Sequence, residues 1–252
     1  MHLHIAALTH PGKVRERNED TIAVGNWITS QAMDVANDFN LDLSIPQILL
    51  IADGMGGHQG GKVASEWVAA ALSSELAMPE LNETSLIAAL RDTNRGLFEN
   101  MKQDKSLLGM GSTVAGLYLH NGLAWAFNVG DSRVYWVQGD FLAQLSTDDI
   151  LETPSYGDVV NQPKTGRITQ ALGGATNFID IMPHLRQIHL RPGHVFLLCS
   201  DGLSDMLNLD EMESSLTQDL TQTTNHLFTQ AMAAGGTDNI SILLARVTHS
   251  PK

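Results

Sequence analysis

The sequence predicts an α+β fold, a layered sandwich of largely antiparallel sheets with its helices gathered in a few places. Three observations predict it. Apolar or alternating runs bounded by Gly, Asn or Asp recur at 3–9, 20–28, 47–52, 112–119, 123–129, 132–138, 185–190, 194–199 and 239–247. Several are joined by segments with tight-turn chemistry, such as His120-Asn121-Gly122 and Val137-Gln138-Gly139-Asp140, which link adjacent antiparallel strands. Helical periodicity is confined to a few stretches and does not alternate strictly with the strands, which excludes a doubly wound parallel sheet.

The first helix follows a glycine-rich stretch, with Val63, Ala64, Trp67, Val68, Ala71 and Leu72 on one face. A second follows Asn82, a good N-cap, and presents Leu86, Ile87, Leu90, Leu97, Phe98 and Met101. A third is expected near 219–233, carrying Leu220, Leu227, Phe228, Ala231 and Met232. Trp67, Trp125 and Trp136 read as packing residues. Residues 29–46, polar and acidic, read as a surface excursion, and residues 147–167 as a long irregular stretch bordering a site.

At 252 residues and 43% hydrophobic content the chain can bury a full core, and residues 1–252 are expected to form one domain. Fifteen Lys and Arg stand against 28 Asp and Glu, a formal net charge of -13. Such a surface repels polyanions, so nucleic acid is excluded as a partner. Nothing approaches the roughly 18 apolar residues of a membrane helix. The lone Cys199 lies in an apolar run and reads as a buried small hydrophobe, and the start of the chain lacks signal-peptide character, so the expected location is the cytoplasm.

The recurring chemical pattern is an apolar run ending in aspartate and a small or polar residue. It occurs at Leu49-Leu50-Ile51-Ala52-Asp53-Gly54, Phe127-Asn128-Val129-Gly130-Asp131-Ser132, Leu197-Leu198-Cys199-Ser200-Asp201-Gly202 and Gly235-Gly236-Thr237-Asp238-Asn239, with the acidic pair Glu19-Asp20 before another strand. Any single Asp-Gly is more often a turn. Repeated at the ends of central strands, such carboxylates converge on one edge, where their mutual repulsion calls for divalent cations. The available ligands are all oxygens, which selects Mg²⁺ or Mn²⁺ over zinc.

Six segments occur in the order seen in metal-dependent protein phosphatases of type 2C, and the chain resembles the compact bacterial members along nearly its whole length. They are Arg15-Glu16-Arg17-Asn18-Glu19-Asp20, Asp53-Gly54-Met55-Gly56-Gly57-His58, Gly111-Ser112-Thr113, Gly130-Asp131-Ser132-Arg133, Ser200-Asp201-Gly202-Leu203 and Gly236-Thr237-Asp238-Asn239. The resemblance implies a four-layer αββα sandwich, two antiparallel sheets flanked by helices, with a two-metal centre at one end. It implies hydrolysis of phosphoserine and phosphothreonine in proteins by a water that two Mn²⁺ or Mg²⁺ ions make acidic.

Matched residue by residue, Asp53 resembles the bridging ligand, Gly54 the carbonyl ligand of the first ion, and Asp201 and Asp238 the main ligands of the second, with Glu19 or Asp20 reaching it too. Asp131 resembles the residue that holds a weaker third ion with Asp201. Arg15 is expected to clamp the phosphate and Arg17 to lie on the surface. His58 matches a histidine proposed as general acid, against the alternative of a helix-start histidine. Asn239 is expected either to hydrogen-bond within the site or to cap its turn. The implied partners are phosphoproteins and a serine/threonine kinase, and the expected state is a monomer.

Two departures from the pattern bear on specificity. Asp149 stands where many relatives have histidine, and Ile150 to Arg167 is short for the family's flap and lacks its His-Pro. Two rival readings are a catalytically dead binding module, which would have lost a metal aspartate, and a hydrolase of small phosphate esters.

Overall fold

The computed structural model describes residues 1–56, 60–78, 81–151 and 167–249. Two antiparallel sheets pack face to face. The first runs in the order β10 (Phe141–Gln144), β9 (Arg133–Gln138), β13 (Val195–Cys199), β14 (Ile240–Thr248), β1 (His2–His10) and β4 (Asn37–Asp42). The second contains β2 (Asp20–Val24), β3 (Trp27–Thr29), β5 (Gln47–Met55), β6 (Gly111–Ser112), β7 (Val114–His120), β8 (Leu123–Val129), β11 (Leu172–Gly173) and β12 (His184–His189). Helices α1 (Gly60–Glu75) and α2 (Glu83–Gln103) cover the second sheet; α3 (Asp201–Ser204), α4 (Leu209–Ser214) and α5 (Leu220–Ala233) cover the first.

The layering follows from the two-residue period of strands. On β1, Leu3, Ile5 and Ala7 enter the core between the sheets, while Ala6 and Leu8 face the helices on the other side. On β5, Leu49 and Ile51 face inward, and Ile48, Leu50 and Ala52 pack against α1 and α2. Both faces of the central strands are therefore buried, which is why they read as continuous apolar runs. The four-layer αββα sandwich is the observed fold.

Local expectations hold in detail. Asn82 caps α2 through its side chain, which accepts from Ser85 N, and Ser85 returns the bond to the Asn82 backbone. Asp219 caps α5 by accepting from Gln222 N. Asn121 and Gly122, both at positive φ, turn β7 into β8 as a tight hairpin of the favoured twist. Three details differ from the sequence reading. The run 20–28 is a hairpin of two short strands turning at Gly25 (φ 58). The stretch 29–46 contributes an edge strand, β4, paired to β1 along six residues. The run 112–119 begins as β6, which bridges β5 and β11 before β7 starts. Among the described residues, no helix is long and apolar enough to cross a membrane.

Candidate metal centre

Strand register brings the acidic residues together. In the ladder between β2 and β5, Asp20 stands directly opposite Asp53. In the other sheet, Cys199 pairs with both Arg133 and Ile242, and His10 with Ile240. Asp201, which follows Cys199, Asp131, which precedes Arg133, and Asp238, which precedes Ile240, therefore leave the sheet at one end. That end carries a cleft of about 1090 Å³ lined by Arg15, Glu19, Asp53, Gly54, Asp201, Asp238 and Asn239.

The backbone is packed tightly to make this possible. A Cβ on Gly54 would stand 2.1 Å from Gly61 O and 2.6 Å from Glu19 O, and one on Gly202 would stand 1.9 Å from Asn239 O. Gly54 N donates to Glu19 O at 3.2 Å, and Thr113 N to Asp53 O at 2.9 Å. Asn239 fastens the loop that carries Arg15 and Glu19: its Oδ1 accepts from Glu19 N (2.8 Å), and its Nδ2 donates to Pro11 O (3.1 Å) and Arg17 O (2.9 Å).

The electrostatics are those of a cluster needing cations. Burial first, then the charges of Asp20, Asp201, Asp238 and Asp131, push the Asp53 carboxyl well above the ordinary range. Burial, with Asp131 and Asp238, raises Asp201 to about 8. Asp131 rises to about 6 through burial, aided by Asp205 and Asp148. Asp20 also rises to about 6 through burial, opposed by hydroxyl hydrogen bonds from Ser241 and Ser200. Glu19 is raised by burial and partly compensated by Arg15 and Arg17. Arg15, exposed at the cleft, donates to Asp238 Oδ2 at 2.6 Å.

The donor set fits hard divalent cations. Oδ1 atoms of Asp20, Asp131 and Asp201 are buried without a hydrogen-bond partner, and an uncompensated buried carboxylate oxygen is costly unless an ion meets it. Among the described residues, no three Asp, Glu, His or Cys side chains form a closed ligand set; Arg15 engages Asp238, and two serines engage Asp20.

Of the residues singled out in the sequence, Arg15, Glu19, Asp53, Gly54, Asp201, Asp238 and Asn239 line one cleft. Asp20 is fully buried beneath it, and Asp131 acts on Asp201 by charge. Arg17 is exposed and also lines the cleft. His58 lies outside the described residues, as does most of the expected flap, 152–166. Asp149 accepts from Gly130 N (2.9 Å) and Gln170 Nε2 (2.9 Å) and contacts His184 Nε2 (2.9 Å), so it braces the turn that carries Asp131. The sequence reading missed Asp205, one helical turn after Asp201 and part of the same field, and Asp104 and Ser106 on the cleft wall. The four-residue spacing of Asp201 and Asp205 was the available signal for the first; nothing local marks the others.

A family model described as protein phosphatase 2C matches residues 39–235. The serine/threonine phosphatase stp of Listeria innocua is 30% identical, over 96% of this chain and 95% of its own. The crystal structure of the Mycobacterium tuberculosis serine/threonine phosphatase PstP/Ppp superposes with a TM-score of 0.80 at 29% identity, covering 99% of this chain and 100% of the other. A structure of the catalytic domain of PstP in complex with 2 manganese ions superposes with a TM-score of 0.77 at 28% identity, covering 99% and 100%. With its carboxylate-lined cleft at the end of an αββα sandwich, the chain belongs to the protein phosphatase 2C family.

Proposed function

We propose that this chain hydrolyses phosphoserine and phosphothreonine monoesters in proteins, with residues 1–252 acting as one catalytic domain. Membership of the family makes it a hydrolase of the serine/threonine phosphatase type. The carrying observation is the meeting of Asp53, Asp201 and Asp238 from three separate strand ends in a cleft where Arg15 reaches Asp238.

Asp53, Asp201 and Asp238, with the Gly54 carbonyl and Glu19, would hold two Mn²⁺ or Mg²⁺ ions, and Asp131 with Asp201 a weaker third. When bound, such ions supply charge neutralisation and an acidic water as nucleophile. The chain's own residues do the rest. Arg15 turns its guanidinium from Asp238 to the phosphate oxygens, for which its planar fork is suited. Asn239 holds the Arg15 loop in register with the carboxylates. Asp20, tied to Ser200 and Ser241, fixes the spacing between the two sheets under Asp53 and serves as a positioning residue. His58 supplies the proton to the departing serine or threonine oxygen. Cys199 is no nucleophile, since burial pushes its thiol up to about 12.

The anionic surface favours phosphoproteins over nucleic acid, and a cytoplasmic serine/threonine kinase is the matching partner for a monomeric phosphatase. All three cleft aspartates are present, which favours an enzyme over a binding module. Phosphate release from a phosphothreonine peptide tests the reading. Activity should require Mn²⁺, vanish in EDTA and fall by orders of magnitude in Asp201→Asn. Metal-independent turnover would refute it, and a strong preference for a small aryl phosphate would point to small esters.

A further inference from the structure

The core between the sheets is aliphatic and aromatic. Where β12, at the edge of one sheet, meets β9 and β10 of the other, that layer gives way to a second cavity of about 510 Å³. Its lining includes Arg186, His189, Arg191, His194 and Trp136, and no carboxylate. It shares no residue with the acidic cleft.

In a chain with 28 acidic against 15 basic residues, a cavity with two arginines, two histidines and no acid is an exception. Arg15, Arg91, Arg95 and Arg133 each lie beside an aspartate. Arg186 and Arg191 are exposed and in no ion pair within 4.0 Å among the described residues. Strand alternation places Arg186 on the face of β12 shared with Ile188, which packs in the inter-sheet core.

The turn that carries Arg191 and His194 is braced: His194 N donates to Arg191 O at 3.1 Å, and Gly193 N to Val247 O at 2.8 Å. The His194 ring packs on Trp136 with centroids 4.9 Å apart. Burial first, and then the Arg191 charge, hold the His194 imidazolium below its ordinary range.

We propose that this cavity is a non-catalytic site for a phosphate monoester, held by Arg186 and Arg191. Two guanidinium forks offer N–H groups from two directions, which suits the three terminal oxygens of a phosphate better than the two coplanar oxygens of a carboxylate. The ester is either free and small or borne on a phosphorylated side chain. The chemistry is shared.

The test uses the full isotope-labelled chain in EDTA near neutral pH, where the acidic cleft repels anions and catalysis is silent. Inorganic phosphate, a phosphothreonine peptide and its unphosphorylated form are titrated in turn. The reporters are the Trp136 indole N–H and the His194 ring signals. Saturable shifts with phosphate are expected, weakened about tenfold or more in Arg186→Ala/Arg191→Ala, since each lost hydrogen bond to a charged group is worth about 1.5–3 kcal/mol. The double variant should keep its melting temperature, because both side chains are exposed and unpaired.

Tighter binding of the phosphopeptide than of phosphate assigns a protein-borne ester, and the reverse assigns a small one. The proposal is overturned if shifts do not saturate, if chloride at equal ionic strength reproduces them, if they survive in the double variant, or if the unphosphorylated peptide binds equally. Because no metal is present, failure here leaves the catalytic reading untouched.

Discussion

Asp20 and Asp53 stand directly opposite each other in adjacent antiparallel strands, β2 and β5, one fully buried and the other on the cleft floor. Like charges facing across a ladder destabilise a sheet. The protein tolerates the pairing by protonation or by cation.

The first prediction concerns pH. Asp20 and Asp131 are raised to about 6 and Asp201 to about 8, against an unfolded value near 3.9. Over that window the folded, metal-free protein binds more protons than the unfolded chain, so these groups stabilise below about pH 4 and lose that contribution as pH rises through their folded values. Cations bind the deprotonated form. The gap in melting temperature between Mn²⁺-saturated and EDTA-treated protein should widen from about pH 5 to pH 8, measured by calorimetry. A constant gap would contradict the account.

The fold was largely legible because its central strands are buried on both faces and its turns carry Asn-Gly and Gly-Asp. Asp53, Asp131 and Asp201 were legible because each ends an apolar run, and Asp20 and Asp238 because each stands at the start of one. What stayed hidden depends on partners distant in sequence. β4 reads as polar loop because only its pairing to β1 makes it a strand. Asn239 was equally a cap or a site residue until Glu19 N, Pro11 O and Arg17 O were seen around it. The serines that bond Asp20 Oδ2 come from β14 and from the end of β13, far from Asp20 in sequence, so nothing around Glu19-Asp20 announces them.

Ser241→Ala should destabilise the protein by about 1–3 kcal/mol in chemical denaturation. Ser241 Oγ donates to Asp20 Oδ2 at 2.7 Å and shares a contact with Thr9 Oγ1 at 2.7 Å, so its loss leaves a buried carboxylate short of a donor. A change within a few tenths would mean that the serine is incidental.

Gly202→Ala should cost about 1–3 kcal/mol or more and weaken Mn²⁺ binding together with stability. The added methyl meets the Asn239 carbonyl and must push apart the segments carrying Asp201 and Asp238. Unchanged affinity at lowered stability would uncouple that contact from the metal centre.

Arg15→Ala should lower kcat/KM on a phosphothreonine peptide about 10- to 100-fold, the worth of one hydrogen bond to a charged group, and leave Mn²⁺ affinity equal or higher because Asp238 is released. Steady-state kinetics alongside metal titration separate the two. A loss of metal binding in this variant would make Arg15 a structural residue instead.

Calorimetric titration of Mn²⁺ into the wild-type chain and Asp53→Asn tests the central claim most directly. The account predicts two strongly bound ions per wild-type chain and loss of that binding in the variant, whose fold should persist by circular dichroism. Equal stoichiometry and affinity in the two proteins, or no binding by the wild type, would contradict it.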